Sequence, residues 1–382
     1  MKFMVKYRLV PHMIYLTNKH RKKKENFSMN PKPAKTTCLL LLLLILAISF
    51  LTAACGSNDN SMPKPPDTLA SKESLRASDI VLDINSKDFT PQTPASVPMN
   101  PYPDLSVPTY ITKVDNLYFI VDCYHDQIIY HDNLTDPLSQ WQVMTDQISK
   151  GHTLASDGLI YLADDTENNR ILIFEKKDGV FYHTQTFEEI GNRPHYIIYD
   201  DNTQTFYALS SMSGEMYLFR HDPGDSRMHL TKTYWIEQLA GTYVRSFTIS
   251  GNDIYFVSGV LGNPAILRAD LGTFEIRETY PVPDSMAGMI QLTITENDYY
   301  ITISTDINGN QDYATMIHTD DLSHLIEGKY DDVYQHFIGG GTPYYVTFID
   351  NNYYLTEHRI PGHSIWEFKI TGDSIHDVKT IY

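Results

Sequence analysis

The sequence has little cysteine. Its 382 residues include three cysteines, and two of them, Cys38 and Cys55, lie in the first 55 residues. Only Cys123 is left for the rest of the chain, which excludes an intramolecular disulfide there. We interpret Cys123 as a small buried apolar residue rather than a reactive thiol. The body of the protein must therefore be stabilised by its core.

Positive charge is also scarce, and most of the deficit lies beyond residue 55. The chain has 30 Lys and Arg residues against 47 Asp and Glu residues. Ten of the basic residues and one acidic residue lie in residues 1–55. The rest of the chain therefore has 20 basic and 46 acidic residues, and its formal charge is −26. Such a surface repels phosphate backbones, so we expect no nucleic-acid partner. The sequence also lacks a Ser/His/Asp arrangement, a phosphate-binding loop and an HExxH motif. We therefore predict no catalytic residue.

A basic segment, an apolar run and a cysteine follow one another near the N-terminus. Lys32 and Lys35 precede the run CLLLLLLILAISFL at residues 38–51, and Thr52-Ala53-Ala54 leads to Cys55. This order is typical of an export signal. It resembles the bacterial lipoprotein signal, although Thr52 stands where Leu is commonest. The resemblance implies a lipid such as palmitate on Cys55 and an extracytoplasmic location at the cell membrane or envelope. The alternative is an uncleaved membrane anchor over residues 36–58.

The same segments set the domain boundaries. Residues 29–54 are predicted to be the signal peptide, with translation starting at Met29. Residues 1–28 would then be a mis-called start. The alternative is that they form an extended basic region before the signal. Residues 55–107 comprise the lipidated cysteine and a tether rich in Ser, Asn, Asp, Lys and Pro. The folded domain is expected at residues 108–382.

A motif recurs six times in this domain: a β-branched run, a turn rich in Asp, Asn and Gly, and a strand carrying Tyr or Phe. The copies lie at residues 111–122, 153–164, 196–210, 246–258, 291–304 and 345–357. A spacing of about 45 residues is the size of one four-stranded propeller blade. The sequence thus predicts an all-β, six-bladed β-propeller with antiparallel blades. Five or seven blades stay as alternatives, because strands are hard to place in residues 276–291 and 322–341, where residues 324–328 suggest a helical turn.

Within the second copy we predict strands at residues 152–155, 159–164, 170–175 and 181–188. The third strands of the other copies are predicted at residues 127–131, 215–220, 265–269, 314–318 and 364–369, and a last strand at 376–381. Residues 151–176 resemble the NHL-type propeller repeat through Asp157-Gly158, Tyr161-Leu162-Ala163-Asp164, Asn169-Arg170-Ile171 and Phe174. The other copies match it less well, so the resemblance implies a propeller but no particular functional family.

A ligand site is predicted where the first strands of the blades begin, because these strands line the central channel. The residues just before the six copies are Tyr110, His152, His195, Arg245, Ile290 and Tyr344. All but Ile290 could bind an anionic or carbohydrate-like ligand, with Arg245 as a bidentate donor and the tyrosines as walls. The partner would be a small ligand or an envelope protein. In the alternative interpretation these polar groups merely satisfy one another in a wet channel mouth.

An enzyme stays open as a second function. Some NHL-like propellers are metal-dependent lyases, so the resemblance also implies a metal-dependent lyase or hydrolase in which His152 and His195 hold Zn²⁺. Two histidines are one fewer than a catalytic zinc site ordinarily uses. Residues 306–312 (DINGNQD) alternate oxygen side chains as calcium loops do, but the glycine is misplaced, and we interpret them as a hairpin connection. Residues 164–167 are likewise interpreted as a solvated turn. We predict no cofactor, with zinc or calcium as the alternative.

Overall fold

The structure is a computed structural model that describes residues 81–259, 262–296, 298–337, 341–358 and 364–382. The signal segment and Cys55 lie outside these residues. Among the helices of the described chain, none is long and apolar enough to cross a membrane.

The described residues form six four-stranded antiparallel sheets, each made from four consecutive strands. The first three blades are β1 Pro108–Val114, β2 Leu117–Asp122, β3 Gln127–His131 and β4 Gln142–Thr145; β5 Leu154–Ser156, β6 Ile160–Asp165, β7 Arg170–Lys177 and β8 Val180–Phe187; and β9 Pro194–Asp200, β10 Thr205–Ser210, β11 Glu215–Arg220 and β12 His229–Trp235. The last three are β13 Ser246–Ser250, β14 Asp253–Ser258, β15 Ala265–Asp270 and β16 Ile276–Pro281; β17 Met289–Ile294, β18 Tyr299–Ile303, β19 Thr315–Thr319 and β20 Asp331–Asp332; and β21 Thr342–Ile349, β22 Asn352–His358, β23 Ile365–Thr371 and β24 Ser374–Thr380. The prediction of a six-bladed, all-β propeller is confirmed, and five or seven blades are wrong.

The helices of the described chain are all short 3₁₀ segments. They lie at Pro94–Ser96, Cys123–His125, Leu138–Gln140, Thr166–Asn168, Glu237–Leu239, Asp284–Met286, Gln311–Tyr313, Leu322–Glu327 and Tyr334–His336. The helical turn predicted near residues 324–328 is thereby confirmed. The segment predicted to be a hairpin connection joins β18 to β19, where Asp306 Oδ1 accepts hydrogen bonds from the backbone N–H groups of Asn308 and Asn310, both at 2.8 Å.

The core of the propeller lies between neighbouring blades. The second strands β6 and β10 are buried along their whole length, on both faces, because each blade packs against the next one on either side. Outer strands such as β12 and β24 are mostly exposed or half-buried, with one buried residue each. The aromatic residue that marks each repeat falls on these second strands, for example Phe119 and Tyr161, and both are fully buried.

Side chains near the channel tie each blade to the next. Each of six hydrogen bonds joins a side chain of one blade to the backbone of its neighbour: Thr109 Oγ1 to the His152 carbonyl, the Ile197 N–H to Thr153 Oγ1, His195 Nδ1 to the Arg245 carbonyl, Ser246 Oγ to the Ile290 carbonyl, Gln291 Nε2 to the Val346 carbonyl and Thr356 Oγ1 to the Thr109 carbonyl. The last of these joins the sixth blade to the first. We call these six bonds the inner ring.

Residues 81–100 lie against the outer strands of the first two blades. The Leu82 N–H bonds to the Thr184 carbonyl of β8 at 2.8 Å, and the Val143 N–H of β4 bonds to the Pro98 carbonyl at 2.8 Å. Tyr182 contacts this segment through a bond from the Gln92 N–H to its hydroxyl at 2.7 Å. The segment therefore covers part of two sheet edges, whose backbone groups would otherwise be unpaired.

The inner-ring bond of Thr356 predicts a measurable loss of stability. Thr356 is fully buried, and its hydroxyl bonds to the Thr109 carbonyl at 2.8 Å and accepts the Tyr345 N–H at 3.1 Å. Replacing Thr356 by Val keeps the shape but leaves these two groups unpaired, so the free energy of unfolding should fall by about 2 kcal/mol. Urea unfolding measures it, with the exposed Thr93→Val as control. An equal effect of both substitutions would contradict the prediction.

Candidate functional site

A cavity of about 330 Å³ opens where the inner strands begin. The starts of the inner strands and the ends of the second strands meet on this face of the ring. Most of the lining residues carry a polar group, and they come from all six blades and their connections: Val107, Thr109, Cys123, Tyr124, Lys150, His152, Glu167, Arg193, Tyr243, Arg245, Ser304, Thr305, Gln311, Thr342, Tyr344 and His358. We call this cavity the mouth pocket.

Three of the five predicted site residues line the mouth pocket, namely His152, Arg245 and Tyr344. His195 lies directly behind His152, with ring centroids 3.8 Å apart, and is fully buried. Tyr110 lies deeper and does not line the pocket, because it occupies the position of Tyr196 in the third blade, two residues after the proline that pairs with the end of the second strand. Thr109 lines the pocket instead.

A layer of tyrosines lies beneath the mouth pocket. Tyr345 packs against Tyr110, Tyr196 and Tyr344, with ring centroids 6.0, 4.9 and 4.7 Å away. Tyr196 also lines a second, more apolar cavity further along the inner strands. Burial raises the pKa of Tyr110 to about 12, and the pKa of both Tyr344 and Tyr345 well above the usual value. These phenols therefore stay neutral and act through packing and hydrogen bonds.

The two histidines are held neutral. Burial lowers the pKa of His152 to about 3, helped by the positive charges of Arg193 and Arg245, and it lowers the pKa of His195 well below the usual value. His195 Nδ1 bonds to the Arg245 carbonyl at 3.1 Å, so this nitrogen carries the proton. His195 Nε2 is 3.4 Å from the hydroxyl of Tyr344, which can donate to it.

The segment at residues 164–167, expected to be a solvated turn, is mostly buried, and that expectation is wrong. Asp164, Asp165 and Thr166 are fully buried, and only Glu167 is exposed. Asp164 accepts four hydrogen bonds, from the N–H groups of His152 and Thr153 and from the hydroxyls of Thr153 and Thr166, at 2.6–2.9 Å. Asp164 thus organises the start of the second inner strand directly below the mouth pocket.

The charge of the mouth pocket is positive. Lys150 Nζ pairs with Asp126 at 2.7 Å, and Arg193 pairs with Glu167. Arg245 donates from Nη1 to Ser304 Oγ at 2.7 Å, and its guanidinium carbon lies 4.9 Å from the centre of the Tyr243 ring. In the described residues no carboxylate pairs with Arg245, and its buried Nε–H has no hydrogen-bond partner.

The repeat alignment did not single out Lys150, Arg193 and Tyr243, although they share one position. Each stands two residues before a predicted site residue, and each has a left-handed backbone, with φ of 53°, 61° and 58°. The N–H groups of Lys150 and Arg193 donate to side chains of the preceding blade, Asp126 Oδ1 and Asn169 Oδ1, at 2.9 and 2.8 Å. Aligning the repeats two residues further back would have shown these polar and aromatic side chains.

No group of three or more His, Cys, Asp or Glu side chains within the described ranges is placed to hold a metal ion. Instead of facing a common point, the His152 and His195 rings stack at an interplanar angle of 25°. What the pocket offers a ligand is one uncompensated guanidinium, the neutral imidazole of His152, hydroxyl groups and aromatic faces.

Comparison with known proteins supports the fold. A scan of protein-family models and a sequence search of curated proteins both found no match. Among solved structures, the chain is similar to two candidate 6-phosphogluconolactonases, from Bacteroides uniformis and Bacteroides fragilis, at 13% and 10% identity. Both alignments have a TM-score of 0.52 and cover 72% of this chain, with 86% and 85% of the respective relatives. At such identity the similarity shows the propeller fold alone.

The raised pKa of Asp164 predicts that the free energy of unfolding depends on pH. Burial raises its pKa from 3.8 to about 6, although its hydrogen bonds partly offset the shift. A carboxyl whose folded pKa is raised stabilises the fold below pH 4 and loses that contribution as pH rises through 6. The destabilisation caused by Asp164→Asn should therefore be larger at pH 4 than at pH 7.5, by about 3 kcal/mol. Denaturant unfolding at both pH values tests this, and a difference independent of pH would contradict it.

Proposed function

We propose that this protein is a binding protein whose mouth pocket takes a small anionic ligand, and that a lipid on Cys55 holds it at the extracytoplasmic face of the cell membrane. The observation that carries the first part is the guanidinium of Arg245, which faces a polar cavity without a carboxylate partner among the described residues. An unpaired cation and an unsatisfied buried N–H both cost free energy, and a bound anion relieves both costs.

The surroundings of Arg245 support one anionic group on the ligand. Lys150 and Arg193 already have carboxylate partners, so only one full positive charge awaits a counterion. The Thr305 hydroxyl, which has no hydrogen-bond partner among the described residues, and the faces of Tyr124 and Tyr243 suit a ligand whose remaining atoms are polar or offer a ring to stack upon. A volume of about 330 Å³ is at the small end of ligand pockets, near about 300 Å³.

The local charge is the exception in this chain, which carries a net charge of −17. Acidic surroundings repel anions at long range, so the positive pocket must act at short range, where burial makes each interaction strong. Binding should therefore depend on contact with the Arg245 guanidinium rather than on steering. The lyase alternative gains no support from the donor set within the described residues.

The first test replaces Arg245 by Gln. Acetate, glucuronate, inorganic phosphate and sulfate are titrated by calorimetry at constant ionic strength. Binding of any that associates should weaken at least about 30-fold, or about 2 kcal/mol, because the charged partner is gone. The melting temperature should stay within about 2 °C, since the side chain makes one hydrogen bond to the fold.

The exposed Arg227 offers a matched control. Arg227→Gln removes the same charge from the same chain without touching the pocket, and it should leave binding unchanged. If Arg245→Gln unfolds the protein, the arginine is structural and the proposed site fails. If none of the four anions binds the wild-type chain, the anion-binding proposal fails.

The lipid anchor is tested with Cys55→Ser. Without the thiol no lipid can be attached, so the protein should move from the membrane fraction to the soluble fraction, and the intact mass should lack the lipid increment. Immunoblots of fractionated cells measure the first result and mass spectrometry the second. If the variant stays in the membrane, the apolar segment at residues 36–58 acts as an uncleaved anchor instead.

A further inference from the structure

Three buried groups form a hydrogen-bonded chain from below the mouth pocket to its wall. Thr166 Oγ1 lies 2.7 Å from Asp164 Oδ2 and 3.0 Å from His152 Nδ1, and His152 lines the pocket. Asp164 and Thr166 are fully buried, and His152 is 7% exposed. We call Asp164, Thr166 and His152 the proton chain.

The Thr166 hydroxyl can donate its hydrogen bond to either of two acceptors. Its hydroxyl lies 2.9 Å from the Pro194 carbonyl, which can only accept a hydrogen bond. When Asp164 is ionised, Thr166 donates to it. When Asp164 is protonated, the carboxyl can donate to Thr166, whose own proton then turns to Pro194. The chain therefore has a satisfied arrangement with and without an added proton.

Charged and titratable groups face this chain from several elements. Arg193, on the connection before β9, and Arg245, before β13, both lower the pKa of His152. Lys150, Glu167 and Cys123 line the same pocket, and Glu167 pairs with Arg193. His195 of β9 stacks on His152, and Tyr344 of β21 lies 6.0 Å from it, centroid to centroid. In the empty pocket these cations oppose a further positive charge. A bound anion changes the balance, because it offsets them at close range.

We infer that the anion binds together with one proton, which the proton chain takes up from solvent. This inference rests on the proposed anion site. The added proton is shared by the three groups, so it titrates as a property of the chain rather than of one residue. His152 thereby becomes a specificity-determining residue, since it is the member of the chain that lines the pocket, and the site favours an anion that can accept a hydrogen bond from its ring.

The sign of the pH dependence follows from this linkage. An anion raises the pKa of every group near it, so the complex holds more protons than the free protein and affinity rises as pH falls. Burial places the pKa of Asp164 at about 6 in the free protein. Affinity should be level below pH 6 and should decrease by about tenfold per pH unit above it, until the pKa of the complex is reached.

The test uses sulfate as the probe, because its charge stays constant between about pH 5 and pH 9, so the ligand itself contributes no proton. Sulfate is titrated into the full chain by calorimetry at pH 7, in two cationic buffers of different ionisation enthalpy, and the difference in heat counts the protons taken up. We expect close to one proton per sulfate at pH 7 and close to none at pH 5.

Variants separate this inference from the anion site. Asp164→Asn and Thr166→Ala should still bind sulfate but take up almost no proton, whereas Thr166→Ser, which keeps the hydroxyl, should restore uptake. The exposed His229→Gln is the control and should behave as wild type. Sulfate binding that needs Arg245 but takes up no proton would overturn this inference alone. Sulfate binding that is absent, or unaffected by Arg245→Gln, would overturn the anion site as well.

Discussion

The inner ring is the constraint on which the site depends. Blades fan outward from the channel and are twisted, so the backbones of neighbouring inner strands cannot pair as they do within a sheet. Side chains bridge the gap instead, and the bridge from Thr356 to Thr109 joins the two ends of the ring. The bridging side chains are therefore hydroxyl, amide or imidazole groups, five of them near the starts of the inner strands and one, Thr356, on β22. Thr109, His152 and Arg245 take part in these bonds and also line the mouth pocket, so the ring and the site share three residues.

Two residues with a left-handed backbone, which lie just before inner strands, bring positive charge to the mouth pocket. Lys150 and Arg193 donate their backbone N–H groups to Asp126 and Asn169, which are themselves left-handed residues that end a 3₁₀ turn. A left-handed backbone costs a non-glycine residue on the order of 1 kcal/mol, and glycine would avoid the cost. Long cationic side chains at these two places are consistent with a role at the pocket, where such strain is commonly found.

The repeat predicted the blades well because it reflects the buried second strands. Strands β3 and β11 lie where they were expected, since a short continuous apolar run between two turns determines each of them locally. The inner strand of the second blade starts at Leu154 instead of His152, because the N–H groups of His152 and Thr153 bond to the Asp164 side chain rather than to a strand. No local pattern predicts that. The inward direction of Asp164 and the depth of Tyr110 depend on contacts between distant segments.

The mouth pocket combines arginines, whose charge is permanent, with histidines, whose charge depends on their protonation. If His152 and His195 were charged beside Arg193 and Arg245, four cations would share a poorly solvated region, and their repulsion would oppose folding. Burial and the arginines prevent this by keeping both rings neutral, so in the proposed anion site the attraction comes from Arg245. Such a pocket can be stable when empty and still take up a proton once an anion is bound. The neutral histidines are therefore as necessary to an anion site of this kind as the guanidinium itself.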